Sequence, residues 1–570
     1  MKRKLLLTIG TCVLGGGLIL AVRAVEHYVE PRSDPAEILP DGAMLSIEAD
    51  NFSDLLHAWN TSAEKRAWIA GSNYQEFSRS RLFTRLEQAQ KEFAQAATVD
   101  PDGAMLESVA GGQSCLAIYD IGKMEFVYVT RMEAGRIQAL PLWQARGKFE
   151  RRNEAGSDFY LRKDEASGRQ AVFAARDGWL ILATRDDLIA GVLDRMAGKV
   201  DHNLANEAWY AAALKQAGAR GELRMALNLT RLVPSPYFRS YWVQRNITEM
   251  KQYAAAVSDL RREGNVYREE RVLVRRDASR DPVLADARPL LQLAPDDATL
   301  AIAEVATDRE ELLQNLREDL LELHPQQVEE RNQTAPQAAN QVNAGSASQL
   351  DVMIDQAPMV EARDDVDQPL RALLQAADPV RVLRCYTTAV SKDSVFVGIN
   401  AAAVMEARAA WSEASVRQAL TAALAPATTV GKLGAGWQQR TGPAGAYLAL
   451  DGPVNLYLKV DGSRLFLASD AHLLESLLAR AQMSATSSGE NQTYVALYRN
   501  DRGRSDYLRL MRQLDRAGAH GEGGNSNSPA FFSANIGSLS SAFARLESEQ
   551  VEERDQGARV LQTVTYRWKD

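Results

Sequence analysis

A hairpin that feeds a helix occurs twice in this chain, and that repetition limits the folds open to it. In the first copy Phe173 to Arg176 and Trp179 to Thr184 flank Asp177-Gly178, and Leu188, Ile189, Val192 and Leu193 follow. In the second, Tyr457 to Val460 and Leu465 to Ser469 flank Asp461-Gly462, followed by Leu473, Leu474, Leu477 and Leu478. Asp-Gly tolerates the positive φ angles of a tight turn, and apolar residues at three- and four-residue steps line one face of a helix. Thr184 and Ser469 stand where a helix N-cap is expected, because a hydroxyl can accept from a first-turn amide.

Further matches extend the repetition outward. Pro40-Asp-Gly-Ala-Met-Leu45-Ser-Ile47 and Pro295-Asp-Asp-Ala-Thr-Leu300-Ala-Ile302 alternate as strands do, and each leads to a helix with a leucine pair, Leu55-Leu56 and Leu312-Leu313. Cys115 with Cys385, Phe126 with Phe396 and Val127 with Val397 share one spacing, on hairpins that turn at Gly122-Lys123 and Lys392-Asp393. Phe77, Leu82, Leu86, Ala89 and Phe93 predict an amphipathic helix between these elements. Each half closes on an antiparallel pair, Ala254 to Arg262 with Val266 to Arg275, and Ala534 to Glu547 with Arg559 to Trp568.

Hairpin connections, rather than crossover helices, predict an α+β fold: two tandem repeats of mostly antiparallel sheet with helices packed on one face. The repeats are expected at residues 39–277 and 293–570, joined by a linker over 278–292. An insertion over 325–350, rich in Gln, Asn and Ala, cannot bury enough apolar surface to order itself and is expected to be disordered. Gly521 to Pro529 reads as a second flexible loop.

The start of the chain has a different character. Lys2, Arg3 and Lys4 precede an uncharged apolar run from Leu5 to Val22, which ends at Arg23. At roughly 1.5 Å per residue such a run crosses a hydrocarbon core of about 30 Å. The basic flank predicts a signal-anchor transmembrane helix over 1–23 with its N-terminus cytoplasmic, then a tether over 24–38, with the bulk of the chain extracytoplasmic. Cleavage near Ala24 stays open as the alternative.

Taken together, the basic start, the single anchor, the Pro-Asp-x-Ala-x-Leu-x-Ile strand and the Leu-x-Leu-Ala-Thr/Ser strand entering a Leu-Leu helix resemble a known group. The chain is similar, over most of 38–276 and 293–568, to bacterial single-pass exported envelope proteins that carry a large duplicated domain of unknown function. The resemblance implies an envelope location and an α+β fold, and it transfers no catalytic residue; with the anchor, the expected location is the inner membrane, single-pass, with the bulk of the chain periplasmic.

Composition and motifs narrow the chemistry. Of 570 residues 46% are hydrophobic and 25% charged, enough for more than one core, and the net charge of -8 with positives gathered at the start argues against nucleic-acid binding. Cys115 and Cys385 lack Cys-x-x-Cys spacing and read as small buried strand residues; a disulfide between them is the minor alternative. Six histidines are scattered singly, without the spacing of a zinc site. No Gly-x-Ser-x-Gly elbow, phosphate loop or dinucleotide fingerprint occurs, and Gly431 to Gly436 reads as a turn. Ser62-Ala-Glu-Lys65 matches the Ser-x-x-Lys of acyl-transferring enzymes but lacks its companion motifs. The acidic run Asp351 to Asp367 lacks the glycine and terminal glutamate of a calcium loop and reads as a solvated face.

No catalytic, cofactor or metal residue is therefore assigned. The aromatic stretch Tyr237, Phe238, Tyr241 and Trp242 is the candidate partner surface. The expected function is that of a membrane-anchored extracytoplasmic interaction or scaffold protein without catalytic activity. Its partners would be the lipid bilayer, through residues 5–22, and an envelope protein. One alternative is an apolar-ligand or lipid-binding envelope protein, since a sheet covered by helices can enclose a cavity. The other is a hydrolase whose carboxylates meet only in three dimensions.

Overall fold

The computed structural model describes residues 34–71, 74, 78, 81–99, 103–215, 217–235, 250–321, 364–390, 397–428, 436–451, 454–483, 491–503 and 545–569. The predicted anchor, the insertion, the loop at 521–529 and the turn at Lys392-Asp393 lie outside these residues. Among the described residues no helix is long and apolar enough to cross a membrane.

The strands of the first half are β1 Leu45–Ala49, β2 Ser114–Asp120, β3 Glu125–Arg131, β4 Glu150–Glu154, β5 Ser157–Lys163, β6 Gln170–Arg176, β7 Trp179–Ala183, β8 Leu223–Asn228, β9 Tyr253–Glu263 and β10 Val266–Arg275. Those of the second are β11 Leu300–Val305, β12 Pro379–Val390, β13 Val397–Ala407, β14 Gln438–Gly442, β15 Gly445–Leu450, β16 Leu456–Asp461, β17 Arg464–Ala468, β18 Tyr494–Arg499, β19 Leu546–Asp555 and β20 Arg559–Trp568. All are joined in one sheet and every pairing is antiparallel. From one outer edge to the centre the order is β4, β5, β6, β7, β3, β2, β1, β8, β9, β10. From the other edge it is β14, β15, β16, β17, β13, β12, β11, β18, β19, β20. The same succession of strands is thus read inward from both edges. The halves meet where β10 pairs with β20, from Val266 opposite Arg567 to Val274 opposite Arg559.

Helices cover both faces of the sheet, not the single face that the hairpins predict. The helices used below are α1 Arg81–Ala97, α2 Gly103–Val109, α3 Ala134–Ala139, α4 Pro141–Gln144, α5 Asp186–Met196, α6 Ala208–Leu214, α7 Arg309–Leu316, α8 Asp364–Ala377, α9 Glu413–Thr428 and α10 Ala471–Met483. In β6 and β7, Val172, Ala174, Ile181 and Ala183 pack with Leu188, Ile189 and Tyr210 of α5 and α6. Ala171, Phe173, Leu180 and Leu182 point the other way, into a cluster with Ile137, Leu142 and Phe149. Every residue of β7 is buried, and an unbroken apolar run of this kind marks a strand covered on both sides. The second half repeats the arrangement. Phe466 and Ala468 pack with Leu473 and Leu477 of α10, while Leu465 and Leu467 face Leu313, Leu374 and Leu420 of α7, α8 and α9.

Several local expectations are corrected. Thr184 and Ser469 do not cap the helices that follow them. Their hydroxyls accept instead from the neighbouring strand, Thr184 Oγ1 from the amide of Phe126 at 2.9 Å and Ser469 Oγ from that of Ala401 at 3.0 Å. The second helix is capped one residue later, by Asp470 accepting from the amide of Leu473 at 2.9 Å. In the first turn Asp177 and Gly178 both have positive φ, 49° and 76°. In the second, Asp461 pairs with Arg464, so the loop is Gly462-Ser463 and only Gly462 needs the left-handed conformation.

The predicted tether and linker also carry core residues. Asp34 caps a helical turn over Pro35–Ile38 by accepting from the amide of Ala36, and Ala36 and Ile38 are buried in the first core. Ala287 and Leu290 of the linker are buried in the second. The described part of the last hairpin's first strand begins at Leu546, and residues 534–544 lie outside the described residues.

Candidate functional site

On the Phe173 face of the first half, α1 and α2 precede β2 and the turn of α3 and α4 follows β3. α1 is held down through Phe93, whose ring lies 5.6 Å from that of Phe126. Its end is abrupt. Thr98 adopts φ 56°, and the amides of Thr98 and Val99 bond back to the carbonyls of Gln95 and Ala94, at 3.3 and 3.1 Å. This is the left-handed helix stop that glycine normally occupies. Between these helices lies a cleft of about 730 Å³, whose apolar wall includes Ala94, Val99, Met105, Val109 and Leu142. Lys91, Gln95 and Ser108 supply its polar side chains, and Thr98 also lines it. The hydroxyl of Thr98 is buried and has no hydrogen-bond partner.

A cleft of about 370 Å³ occupies the corresponding place in the second half, between α8 and the segment that follows β13. Trp411 stands in its wall, 6% exposed, with its indole N–H donating to the carbonyl of Ser463 at 3.0 Å.

The two halves differ on the opposite side of the rungs that carry their cores. Leu45 pairs with Ile118 and Leu227, whereas Leu300 pairs with Tyr386 and Tyr498. Ala49 lies beside Leu223, whereas Glu304 lies beside Tyr494. Ile47 lies beside Leu116, whereas Ile302 lies beside Arg384. An apolar stretch in one half is thus matched by an acidic, tyrosine-rich one in the other.

There Arg384 is held by Glu304 Oε1 at 3.2 Å and, more loosely, by Asp319 Oδ2 at 3.9 Å. Tyr386 donates its hydroxyl to Asp319 at 2.6 Å. Asp319 is delivered by a π-helical turn over Arg317–Leu321 that continues α7, an irregularity often found where a side chain must be re-aimed. Burial raises the pKa of Glu304 above the ordinary carboxylate range, with Arg384 opposing the shift. The Nε of Arg384 is buried without a hydrogen-bond partner.

A second buried charge lies in the first half. Glu48, 1% exposed, is bound by Arg220 at 2.9 Å and by the hydroxyl of Tyr210, and burial again raises its pKa.

The residues singled out in the sequence are scattered over this frame. Tyr237, Phe238, Tyr241 and Trp242 lie outside the described residues. Ser62 is the N-cap of the helix over Ala63–Ala70, accepting from the amide of Lys65 at 3.0 Å and donating to the carbonyl of Trp59 at 2.8 Å. Both of its hydrogen-bonding roles are therefore structural. Cys115 and Cys385 are free and buried, each in the core of its own half, which excludes the disulfide. Asp367 corrects the reading of the acidic run as solvated, being 4% exposed and paired with Arg317. His57, His202 and His472 are exposed. Among the described residues no group of three His, Cys, Asp or Glu side chains could hold a metal ion.

Neither the Glu304–Arg384–Asp319 group nor the Thr98 cleft was found from sequence. The first is assembled from residues far apart in the chain, and the second depends on one backbone angle.

No family model matches the sequence, and no curated protein matches it. Among solved structures, crystal forms I and III of TP0453 align with 44% and 43% of this chain and 81% and 80% of their own, at 10% and 9% identity. Their TM-scores are 0.24 and 0.23, and a likeness of that size carries no argument.

Proposed function

We infer that the chain is an extracytoplasmic interaction or scaffold protein, anchored in the inner membrane by residues 5–22 and built from two copies of one α+β unit. The observation that carries this reading is the seam. Each half places its strands in the same succession, and the central strands of the two join edge to edge along β10 and β20. Pairing by backbone hydrogen bonds makes the two halves one continuous sheet, which suits a platform better than a hinged catalytic cleft. The duplication is supported further by Thr184 and Ser469, which end corresponding strands with the same hydroxyl-to-amide bond. The anchor is supported by the basic start and the apolar run that follows it.

The test uses the full-length chain carrying a C-terminal tag. Protease added to spheroplasts digests the body of an extracytoplasmic protein; survival until the inner membrane is lysed overturns the location. Chemical crosslinking in intact cells, followed by purification through the tag, is expected to recover a stoichiometric envelope protein. Substrate turnover by the purified chain that a single change such as Glu304→Gln abolishes overturns the non-catalytic reading.

A further inference from the structure

We propose that the first half lies against the bilayer that holds its anchor, through an apolar patch of Trp59, Ile69 and Leu106 that enters the lipid interface. It rests on the anchor proposed for residues 5–22. Among the described residues seven large apolar side chains stand out into solvent, and three of them gather here, 48%, 47% and 47% exposed. They are brought together at Asn60, which donates to Glu107 of α2 at 2.5 Å and accepts from Lys65 of the helix over Ala63–Ala70. Trp59 precedes Asn60, Leu106 precedes Glu107, and Ile69 lies one turn beyond Lys65 on the same helix face. The helix that carries Trp59, over Phe52–Thr61, is short of cover. Phe52, Leu55, Leu56 and Trp59 form its apolar stripe, yet none of its residues is buried. In the second half the matching helix α7 buries Leu312, Leu313 and Leu316 against α8 and α9.

Three features choose lipid as the occupant. First, the chain enters the described body at Asp34, near enough to Glu48 for their charges to repel, and Arg220 ties Glu48 to Asp50 at 2.9 and 3.1 Å. The entry and the start of the helix at Phe52 therefore share one end of β1. Residues 23–33, between anchor and entry, reach at most about 36–40 Å, whereas the helix advances only about 10 Å from Phe52 to Trp59. The patch thus lies within the tether's reach of the membrane surface. Second, anchoring makes the contact intramolecular, so three partly exposed side chains suffice where a free protein needs more. Third, the polar groups around the patch bond each other, which leaves a partner protein few directional contacts, and a lipid interface that accepts tryptophan requires none.

The test reconstitutes the full-length chain into phosphatidylcholine nanodiscs and reads the quenching of a thiol-linked fluorophore by nitroxide lipids. Cys115 and Cys385 are buried, so Cys12 is the thiol labelled in the wild type and reports on the anchor. In a Cys12→Ser background, labels on Ile69→Cys and Leu106→Cys report on the patch, and a label on Gln439→Cys, in the outer edge strand β14, is the control. Acyl-chain nitroxide is expected to quench Cys12, and head-group nitroxide to quench positions 69 and 106 but not 439. Trp59→Glu is expected to cut the quenching at 106 by roughly fivefold. Circular dichroism checks its fold, and if Trp59→Glu is not folded, Ile69→Glu takes its place. Unquenched labels at 69 and 106 overturn the proposal, and leave the anchor standing where Cys12 is quenched. An unquenched Cys12 overturns the anchor and with it the tethered contact. Equal quenching at 439, or quenching at 106 that Trp59→Glu leaves unchanged, overturns the patch. Energy transfer between labels on two copies, in place of lipid quenching, assigns the patch to a second copy and overturns the lipid.

Discussion

At the seam between the halves, Arg275 and Asp555 are each 8% exposed and meet through both Nη atoms, at 2.6 and 2.9 Å. Gly557 completes the group, its amide donating to Asp555 at 2.9 Å and its carbonyl accepting from Arg275 at 2.6 Å. Asp555→Asn keeps the size of the side chain and removes its charge, which leaves a buried guanidinium without a counter-ion. One-sided loss of a buried pair costs roughly 3–5 kcal/mol. Because Arg275 Nε already lacks a partner, the wild-type group is incompletely satisfied, and a loss near the lower end, about 3 kcal/mol, is expected.

Urea unfolding at neutral pH, followed by circular dichroism and tryptophan fluorescence, measures this loss. Replacing both partners by leucine is expected to recover most of it. Burial works against the charge of Asp555, but the hydrogen bonds from Arg275 and Gly557 prevail and hold its pKa below the ordinary carboxylate range. Stability from a depressed pKa is present above the unfolded value, about 4, and is lost as pH falls through the folded one. The gap between wild type and variant should therefore narrow below about pH 4. A loss under about 1 kcal/mol at pH 7, or a gap that does not narrow on acidification, refutes the reasoning.

The other predictions concern backbone strain and buried acids. Thr98→Gly relieves a left-handed conformation worth about 1–2 kcal/mol, while glycine returns about 0.5–1 kcal/mol in unfolded-chain entropy; the thermal midpoint should rise, and a fall would contradict the strain. At Gly221 an added Cβ would lie 2.5 Å from the backbone carbonyl oxygen of Leu260, so Gly221→Ala should cost about 1–3 kcal/mol in denaturant unfolding, and an unchanged midpoint would show that β9 can yield. Burial raises the pKa of both Glu48 and Glu304, so their contribution is present below the unfolded value, about 4.3, and is lost as pH rises through the folded one. Glu48→Gln should accordingly flatten the decline in stability as pH rises above the unfolded value of about 4.3, and an unaltered slope would count against a raised pKa.

Much of the fold could be read from local pattern. The hairpin-helix units, β1 and β11 with their leading prolines, and the buried faces Leu188–Leu193 and Leu473–Leu478 all follow from spacing that needs no distant partner. Register was another matter. The matched cysteines suggest corresponding positions, yet Cys115 stands beside Glu48 and Cys385 beside Ala301, so that Ala117, next to Ser46, is the residue on the rung of Cys385. A two-residue slide returns every side chain to the same face, so alternation cannot detect it. The helix layers on both faces were signalled by the unbroken run in β7, which outweighs the evidence of the hairpins.

What the sequence determined by itself was the set of units and their succession, because turn chemistry, amphipathic period and apolar runs act over a few residues. Only the tertiary structure decided how those units join and what they offer: the β10–β20 seam, the Glu304–Arg384–Asp319 group and the unpartnered hydroxyl of Thr98. Each depends on residues distant in the chain or on one backbone angle, and burial and pairing at such places are set by packing rather than by local sequence.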